Sequence, residues 1–421
     1  MLSSSHLLAR FRRVRERSLS VCAPLSAEDA QVQSMPDVSP AKWHLAHTTW
    51  FFETFVLASA GDKPYDTAYE RLFNSYYETV GAHIDRGHRG LLSRPALEEV
   101  RAYREDVDAR LESLLAAGRL DDAARDRVEL GLHHEQQHQE LMLTDAKHVL
   151  GMQPLRPAYR TDLARPAGGR VQPTGWVELA GGLVEIGIDG TGIVDGDRFS
   201  YDCERPRHRV LLAPYRLATR PLCNAEVLAF IADGGYRESR LWLSDGWALA
   251  RREDWQAPLY WEQADGHWLH YTLGGVREID PAETACHLGY YEADAIARWA
   301  GARLPTEAEW EHAATSVAVA GNFADDDCLH PCAARGDDLQ QLYGDVWEWT
   351  GSAFAPYPGF RPLGGALGEY NGKFMANQLV LRGGSCLTPR EHVRASYRNF
   401  FPPSARWQMT GARLAQDGEC R

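Results

Sequence analysis

The segment His134-Glu135-Gln136-Gln137-His138-Gln139-Glu140 places two histidines four residues apart. On a helix that spacing projects both imidazoles from one face, one turn apart, close enough to share a metal ion. A third histidine-bearing segment lies upstream, Trp43-His44-Leu45-Ala46-His47-Thr48-Thr49-Trp50. Three neutral imidazoles with open positions beside them suit a redox metal such as Fe(II), or zinc. Leu130, His134, His138 and Leu141 follow one stripe, so both histidines fall on the packed face of their helix. His47 holds the same kind of position between Trp43 and Phe51. Burying three imidazoles costs free energy unless each finds a partner, and one shared ion serves all three. Separately hydrogen-bonded core histidines are the competing explanation. His44 and His133 fall off the stripes and are read as neighbours. Glu140 is a candidate for orienting a ligand ring through its far nitrogen.

The elements that must hold these residues are helices. Ser39 is expected to cap a helix with Pro40 at its first position, where the missing N–H costs nothing. Leu97, Val100, Tyr103, Val107, Leu111 and Leu114 recur at three- and four-residue steps, and a further helix runs from about Asp121 to Leu150. The basic N-terminal segment, with Arg10, Arg12, Arg13, Arg15 and Arg17, has some transit-peptide character but fits an amphipathic helix better. Four helices suffice for an antiparallel bundle over residues 1–152. Residues 153–174, rich in Pro, Gly and Arg, read as a linker. Residues 175–421 are rich in Gly, Trp and Tyr with short strand-like runs. Two helices are expected there, near Tyr291–Ala300 and Thr306–Ala314. The chain is thus read as a two-domain α+β protein whose second half is heavy in loops.

Composition narrows the partners. A net charge of −13 without a long basic run argues against nucleic acid and anionic membranes. No stretch is apolar enough to span a bilayer. Eight scattered cysteines favour reduced thiols and a cytoplasmic location. Cys328-x3-Cys332 with His330 between them could be half of a zinc site, but no second half with zinc-finger spacing follows, so a surface loop is the expectation. The sequence leaves open whether the chain forms a homo-oligomer.

The layout resembles the ergothioneine-biosynthesis sulfoxide synthases, in which a DinB-type four-helix bundle precedes a formylglycine-generating-enzyme-like domain of C-type-lectin-like character. The residues that carry the resemblance in the first half are Trp43-x3-His47 and His134-x3-His138-x-Glu140. In the second half they are Tyr201-Asp202-x-Glu204-x-Pro206-x-His208, Arg303-Leu304-Pro305-Thr306-Glu307-Ala308-Glu309-Trp310-Glu311, Gly344-Asp345-Val346-Trp347-Glu348-Trp349-Thr350, Arg382-Gly383-Gly384-Ser385 and Gly411-Ala412-Arg413-Leu414. The later motifs speak for fold, because relatives with other chemistries share them.

The resemblance implies an enzyme that binds Fe(II) and uses O2 to join a cysteine-type thiol to C2 of the hercynine imidazole, oxidising the sulfur to a sulfoxide in the same turnover. By motif the iron ligands are His47, His134 and His138, and Gln137 matches a residue near the hercynine imidazole. Asn399 and Phe400 match the segment that receives the trimethylammonium group, which has no N–H to donate and is held by an aromatic face and oxygen dipoles. Tyr76 and Tyr77 match a tyrosine pair of the branch that uses free cysteine. A phenol beside an oxygen-activating iron can donate a proton or a hydrogen atom. The γ-glutamylcysteine branch has Trp-Asp after the asparagine and an arginine four residues beyond the Asp. This chain has Phe400-Phe401 and Ala405, with Arg406 adjacent, so free cysteine is the expected donor. Arg89 is the candidate for its carboxylate, with Arg86 and Arg94 as alternatives.

Rivals remain. A formylglycine-generating oxidase needs two cysteines five residues apart, and here Cys386 is followed at position 391 by Glu. An ovothiol-pathway synthase usually carries a C-terminal methyltransferase, for which no glycine-rich unit is present. γ-Glutamylcysteine, a selenium donor, and a non-catalytic zinc- or ligand-binding module stay open.

Overall fold

The first half folds into helices because each carries one buried stripe, or is buried all round. In the computed structural model, which describes residues 4–166, 168–196, 198–336 and 338–418, these are α1 (Ser4–Cys22), α2 (Ala41–Phe52), α3 (Ala68–Phe73), α4 (Leu97–Ala116) and α5 (Asp122–Met152). Helix α1 packs on α4 and α5, and α2 packs on the same two, which closes a four-helix bundle. The basic segment is therefore the first bundle helix, with Leu7, Phe11, Val14 and Val21 buried. Every residue of α2 is buried, the polar Lys42, His44, His47, Thr48 and Thr49 included. Gly131 on α5 lets α2 come close: a Cβ there would lie 2.5 Å from the Phe52 ring.

Buried charge fixes the register of α5. Glu135 accepts from Arg15 (2.8 Å), Arg104 and Ser18 Oγ (2.6 Å). Burial alone would raise this carboxyl, but the two guanidiniums and the hydroxyl hold it down to about 2. Arg10 pairs with Glu129, six residues earlier on α5. The expected start of α2 shifts by a residue. Pro40 is the N-cap and Ser39 makes no capping bond. The Ser39 N–H donates instead to Asp145 Oδ2 (2.8 Å), and its Oγ accepts from Arg89 (2.9 Å).

The strands are β1 (Trp176–Leu179), β2 (Gly182–Ile186), β3 (Val194–Asp195), β4 (Arg198–Phe199), β5 (His208–Leu212), β6 (Tyr215–Pro221), β7 (Trp261–Ala264), β8 (His267–Thr272), β9 (Gly275–Glu278), β10 (Trp347–Ala353), β11 (Leu379–Arg382), β12 (Asn399–Phe401) and β13 (Thr410–Asp417). Six form a sheet of order β1-β6-β13-β10-β11-β12, in which only β10 and β13 run parallel. The others form β2-β5, β3-β4 and the meander β7-β8-β9. Around them lie α6 (Asn224–Ala232), α7 (Ser244–Arg252), α8 (Tyr290–Trp299) and α9 (Glu307–Ala314). Helices α8 and α9 are those read from the sequence, and Thr306 caps α9 in a box with Glu309.

The second-half motifs build this fold. Glu348 on β10 is gripped by Arg413 (2.8 Å) and by the Trp310 indole N–H (2.7 Å), all fully buried. Arg382 pairs with Glu307 and Glu311 of α9. Gly383, at φ +101, passes a carbonyl of Leu342 so closely that a Cβ would sit 2.4 Å from it.

The chain divides into two compact units. The first takes Met1–Tyr159 together with Gly190–Asp202 and Arg361–Lys373; the second takes Arg160–Asp189, Cys203–Phe360 and Phe374–Arg421. Among the described residues seven cysteines are present and none is in a disulfide; Cys420 lies outside them. Among the described residues no helix is long and apolar enough to cross a membrane.

Candidate metal centre

Helices α2 and α5 bring His47, His134 and His138 together in the first unit. One ring nitrogen from each lies within 4.8 Å of the others, and the Nε2 atoms of His47 and His134 are 3.2 Å apart. The ring centroids are 4.5 to 4.9 Å apart. His47 is sandwiched by two indoles, Trp43 at 4.6 Å and Trp50 at 5.6 Å, and Phe51 packs on His134 at 4.5 Å. Burial, reinforced at His47 and His138 by the neighbouring rings, lowers all three pKa values, that of His134 to about 3. The rings are therefore neutral at physiological pH, the form that coordinates a metal.

The far nitrogens define which lone pairs face inward. His47 Nδ1 donates to the Phe73 carbonyl at 2.6 Å, which leaves Nε2 as the acceptor turned toward the trio. His44 Nε2 lies 3.0 Å from Asp145 Oδ2, and His44 Nδ1 lies 2.7 Å from His138 Nδ1. With neutral rings, one proton arrangement satisfies both contacts. His44 donates from Nε2 to Asp145, and its Nδ1 lone pair accepts from His138 Nδ1–H. His138 is left with a free Nε2 lone pair. Among the described residues the buried Nδ1 of His134 has no hydrogen-bond partner. This donor set, all nitrogen and all neutral, fits a first-row divalent metal such as Fe(II) or zinc. A carboxylate the sequence reading did not single out, Asp145, stands behind the His138 ring through His44.

The tyrosine pair lies on the loop after α3. Asn74 shapes it, accepting from the Tyr77 N–H and donating to the carbonyls of Tyr77 and Gly81, each at 3.0 Å. Tyr76 stacks on Tyr77 at 4.6 Å, and Tyr77, fully buried, packs on Trp50, Phe51 and Phe55 beside the histidines. Burial pushes Tyr76 up to about 12 and Tyr77 well above the ordinary phenol value, so both remain protonated.

Two later segments complete the surroundings, and neither was singled out from the sequence as part of the site. Tyr370 donates to Gln137 Oε1, and its ring stands edge-on to His134 at 5.6 Å. Tyr201 stacks on Tyr370 at 5.4 Å, and Phe199 stacks on His133 at 3.8 Å. Asn371 donates to Asp202 at 2.7 Å, tying the two segments together. Glu369 accepts from the N–H groups of Glu78 and Thr79, which clamps the tyrosine loop.

Arg89 is buried, 5% exposed, with its guanidinium 3.5 Å from the centre of the Trp43 ring. It donates to Ser39 Oγ, but its Nε has no partner and, among the described residues, no carboxylate pairs with it. Arg86 and Arg94 are exposed. Asn399 and Phe400 lie in the second unit on β12, where Phe400 stacks on Phe354 at 4.0 Å and the Phe374 ring lies 5.9 Å away. Arg406 is already used there, its fork closed on Glu292 at 2.8 and 2.9 Å.

Residues 10–142 match the DinB superfamily model, and residues 164–338 and 333–418 match that of the sulfatase-modifying factor enzyme 1-like domain. The hercynine oxygenase of Mycolicibacterium smegmatis is 32% identical over 99% of this chain and 100% of its own length. That of Mycolicibacterium thermoresistibile is 33% identical over 93% and 90%. That of Mycobacterium tuberculosis is 31% identical over 99% and 100%.

Proposed function

The chain belongs to the hercynine oxygenase family, and from that premise we propose that it makes a hercynylcysteine sulfoxide in ergothioneine biosynthesis. Hercynine loses the C2–H, the thiol loses S–H, and one O2 supplies the sulfoxide oxygen and one water, so four electrons balance. The observation that carries this reading is the meeting of three neutral imidazoles on α2 and α5. His47, His134 and His138 would hold iron, and bound ferrous iron supplies the reductive activation of O2.

The protein's own groups do the rest. Asp145 and His44 hold the His138 ring, and the Phe73 carbonyl holds that of His47. Gln137, oriented by Tyr370, receives the hercynine imidazole. Phe400 offers its face, and Asn399 its oxygen, to the trimethylammonium group. Arg89 is a buried cation that, among the described residues, no carboxylate pairs with, and the carboxylate of the thiol substrate supplies one. Tyr76 and Tyr77, protonated throughout the physiological range, are the donors of a proton or hydrogen atom to reduced oxygen. Free cysteine is the preferred donor, because Phe401 and Ala405 give no grip on a γ-glutamyl group and Arg406 is committed to Glu292.

The test is an aerobic assay with Fe(II) and hercynine, supplied in parallel with cysteine, γ-glutamylcysteine or a selenium donor and read by mass. The sulfoxide is expected to form fastest from cysteine. Preference for γ-glutamylcysteine or selenium would correct the donor, and no adduct from any of them would remove the synthase reading.

A further inference from the structure

The second unit holds another buried cluster that the proposed chemistry does not use. His270 on β8, Glu283 and His330 each present a ligand atom, and these atoms lie within 4.8 Å of one another. All three residues are at most 4% exposed. His330 Nε2 is 3.2 Å from Glu283 Oε2, and the His270 and His330 rings stand perpendicular at 5.1 Å. Two donors on a tetrahedral ion with bonds of about 2.0–2.1 Å are separated by about 3.3 Å, which the His330–Glu283 pair matches, and the His270 ring closes the third side within reach.

The local charge also suits a cation. Arg277 neutralises Glu283 through two contacts of 2.8 and 2.9 Å and holds that carboxylate in place. Asp345, 2% exposed, accepts from the Cys332 N–H (2.7 Å), Asn322 (2.9 Å) and Gln341 (2.9 Å), and among the described residues no cation pairs with it. The Cys332 carbonyl in turn accepts from Thr284 N, the residue after Glu283 (3.1 Å). Two buried carboxylates against one guanidinium leave this corner of the protein with excess negative charge. The Cys328-x3-Cys332 segment, expected to be a surface loop, instead turns His330 inward, and Asn322 anchors its carbonyl at 2.8 Å.

We propose that His270, Glu283 and His330 form a second metal site, for zinc, that ties the loop around His330 to the β8 strand and the Glu283 segment. Two imidazoles and one carboxylate are a zinc donor set, with water in the fourth position; a hard ion such as calcium would want oxygen ligands throughout.

The test uses the full chain, stripped by a chelator and titrated with zinc chloride in competition with a chromophoric chelator. Wild type is expected to bind about two equivalents tightly, one at each cluster. His330→Gln should lose one of them and His138→Ala the other. His270→Gln serves the same purpose should His330→Gln not fold. If wild type binds only one equivalent, its loss in His138→Ala overturns the inference, whereas its retention there and loss in His330→Gln supports it and counts against the first site. Retention of both equivalents by a folded His330→Gln or His270→Gln chain overturns the inference outright.

Discussion

Replacing Asp145 with Asn isolates the relay behind His138. In the native chain the carboxylate accepts from His44 Nε2 at 3.0 Å and from the Ser39 N–H at 2.8 Å, and His44 accepts from His138 Nδ1 at 2.7 Å. The amide keeps the shape but removes the charge. A hydrogen bond to a charged group contributes about 1.5–3 kcal/mol, roughly twice a neutral one. Losing the difference weakens the hold on the His44 tautomer and, through it, the basicity of His138 Nε2. Changes to such outer partners cost about 10–100-fold in metal affinity, or roughly 1.4–2.7 kcal/mol. The assay is metal affinity of the chelator-stripped chain by competition, with the thermal midpoint as a control for folding. Asp145→Ala should fall at the far end of the range, because it also leaves His44 and Ser39 without an acceptor. Affinity equal to wild type in both folded variants would refute the relay and leave Asp145 as a tie between the α2 entry and α5.

His138→Ala is expected to abolish adduct formation, and wild-type turnover in that variant would remove the ligand assignment. Tyr76→Phe or Tyr77→Phe should slow sulfoxide formation or divert the enzyme to oxidation of cysteine alone, measured by product mass; two variants matching wild type would make the pair structural. Gly131→Ala forces the Phe52 ring aside, which should cost about 1–3 kcal/mol in denaturant unfolding and weaken metal binding by moving α2 from α5. Acid should destabilise the metal-free chain. Its three clustered histidines have pKa values below the unfolded 6.5, that of His134 at about 3. Between those limits the unfolded chain binds more protons, so stability present above pH 6.5 is lost as pH falls, by up to about 1.4 kcal/mol per pH unit for each ring. Unfolding midpoints at pH 7 and 5 that coincide would contradict the buried, neutral trio.

The histidine trio was legible because a helix converts i,i+4 spacing into a shared face, and because burial makes three inward imidazoles costly without a common partner. The bundle was legible for the same reason, since α4 and α5 repeat their apolar residues at helical steps. What local pattern does not carry is the partner chosen at long range. Asp145 and Ser39 are 106 residues apart, and the bond from the Ser39 N–H to the Asp145 carboxylate displaces the expected serine cap. Tyr370 reaches Gln137 across more than half the chain, and no periodicity marks it. Helices α6 and α7, nine residues each, were too short to stand out from loop-rich sequence. Arg89 could not be told from Arg86 and Arg94 until burial separated them.

The first unit draws two of its pieces from far downstream, and this has a consequence on the ribosome. When residue 159 has emerged, all three imidazoles exist, but Tyr201 and Tyr370 do not. Roughly 200 further residues must be translated before the Arg361–Lys373 segment can dock, about 10–40 s at ordinary elongation rates. During that interval the nascent bundle presents its nitrogen cluster, without the Tyr370 and Tyr201 rings beside it, to any divalent ion that imidazole binds. On the iron reading proposed above, zinc captured in that interval would have to be exchanged for iron after release, so cells overexpressing the chain in zinc-rich medium are expected to yield protein carrying zinc at this cluster.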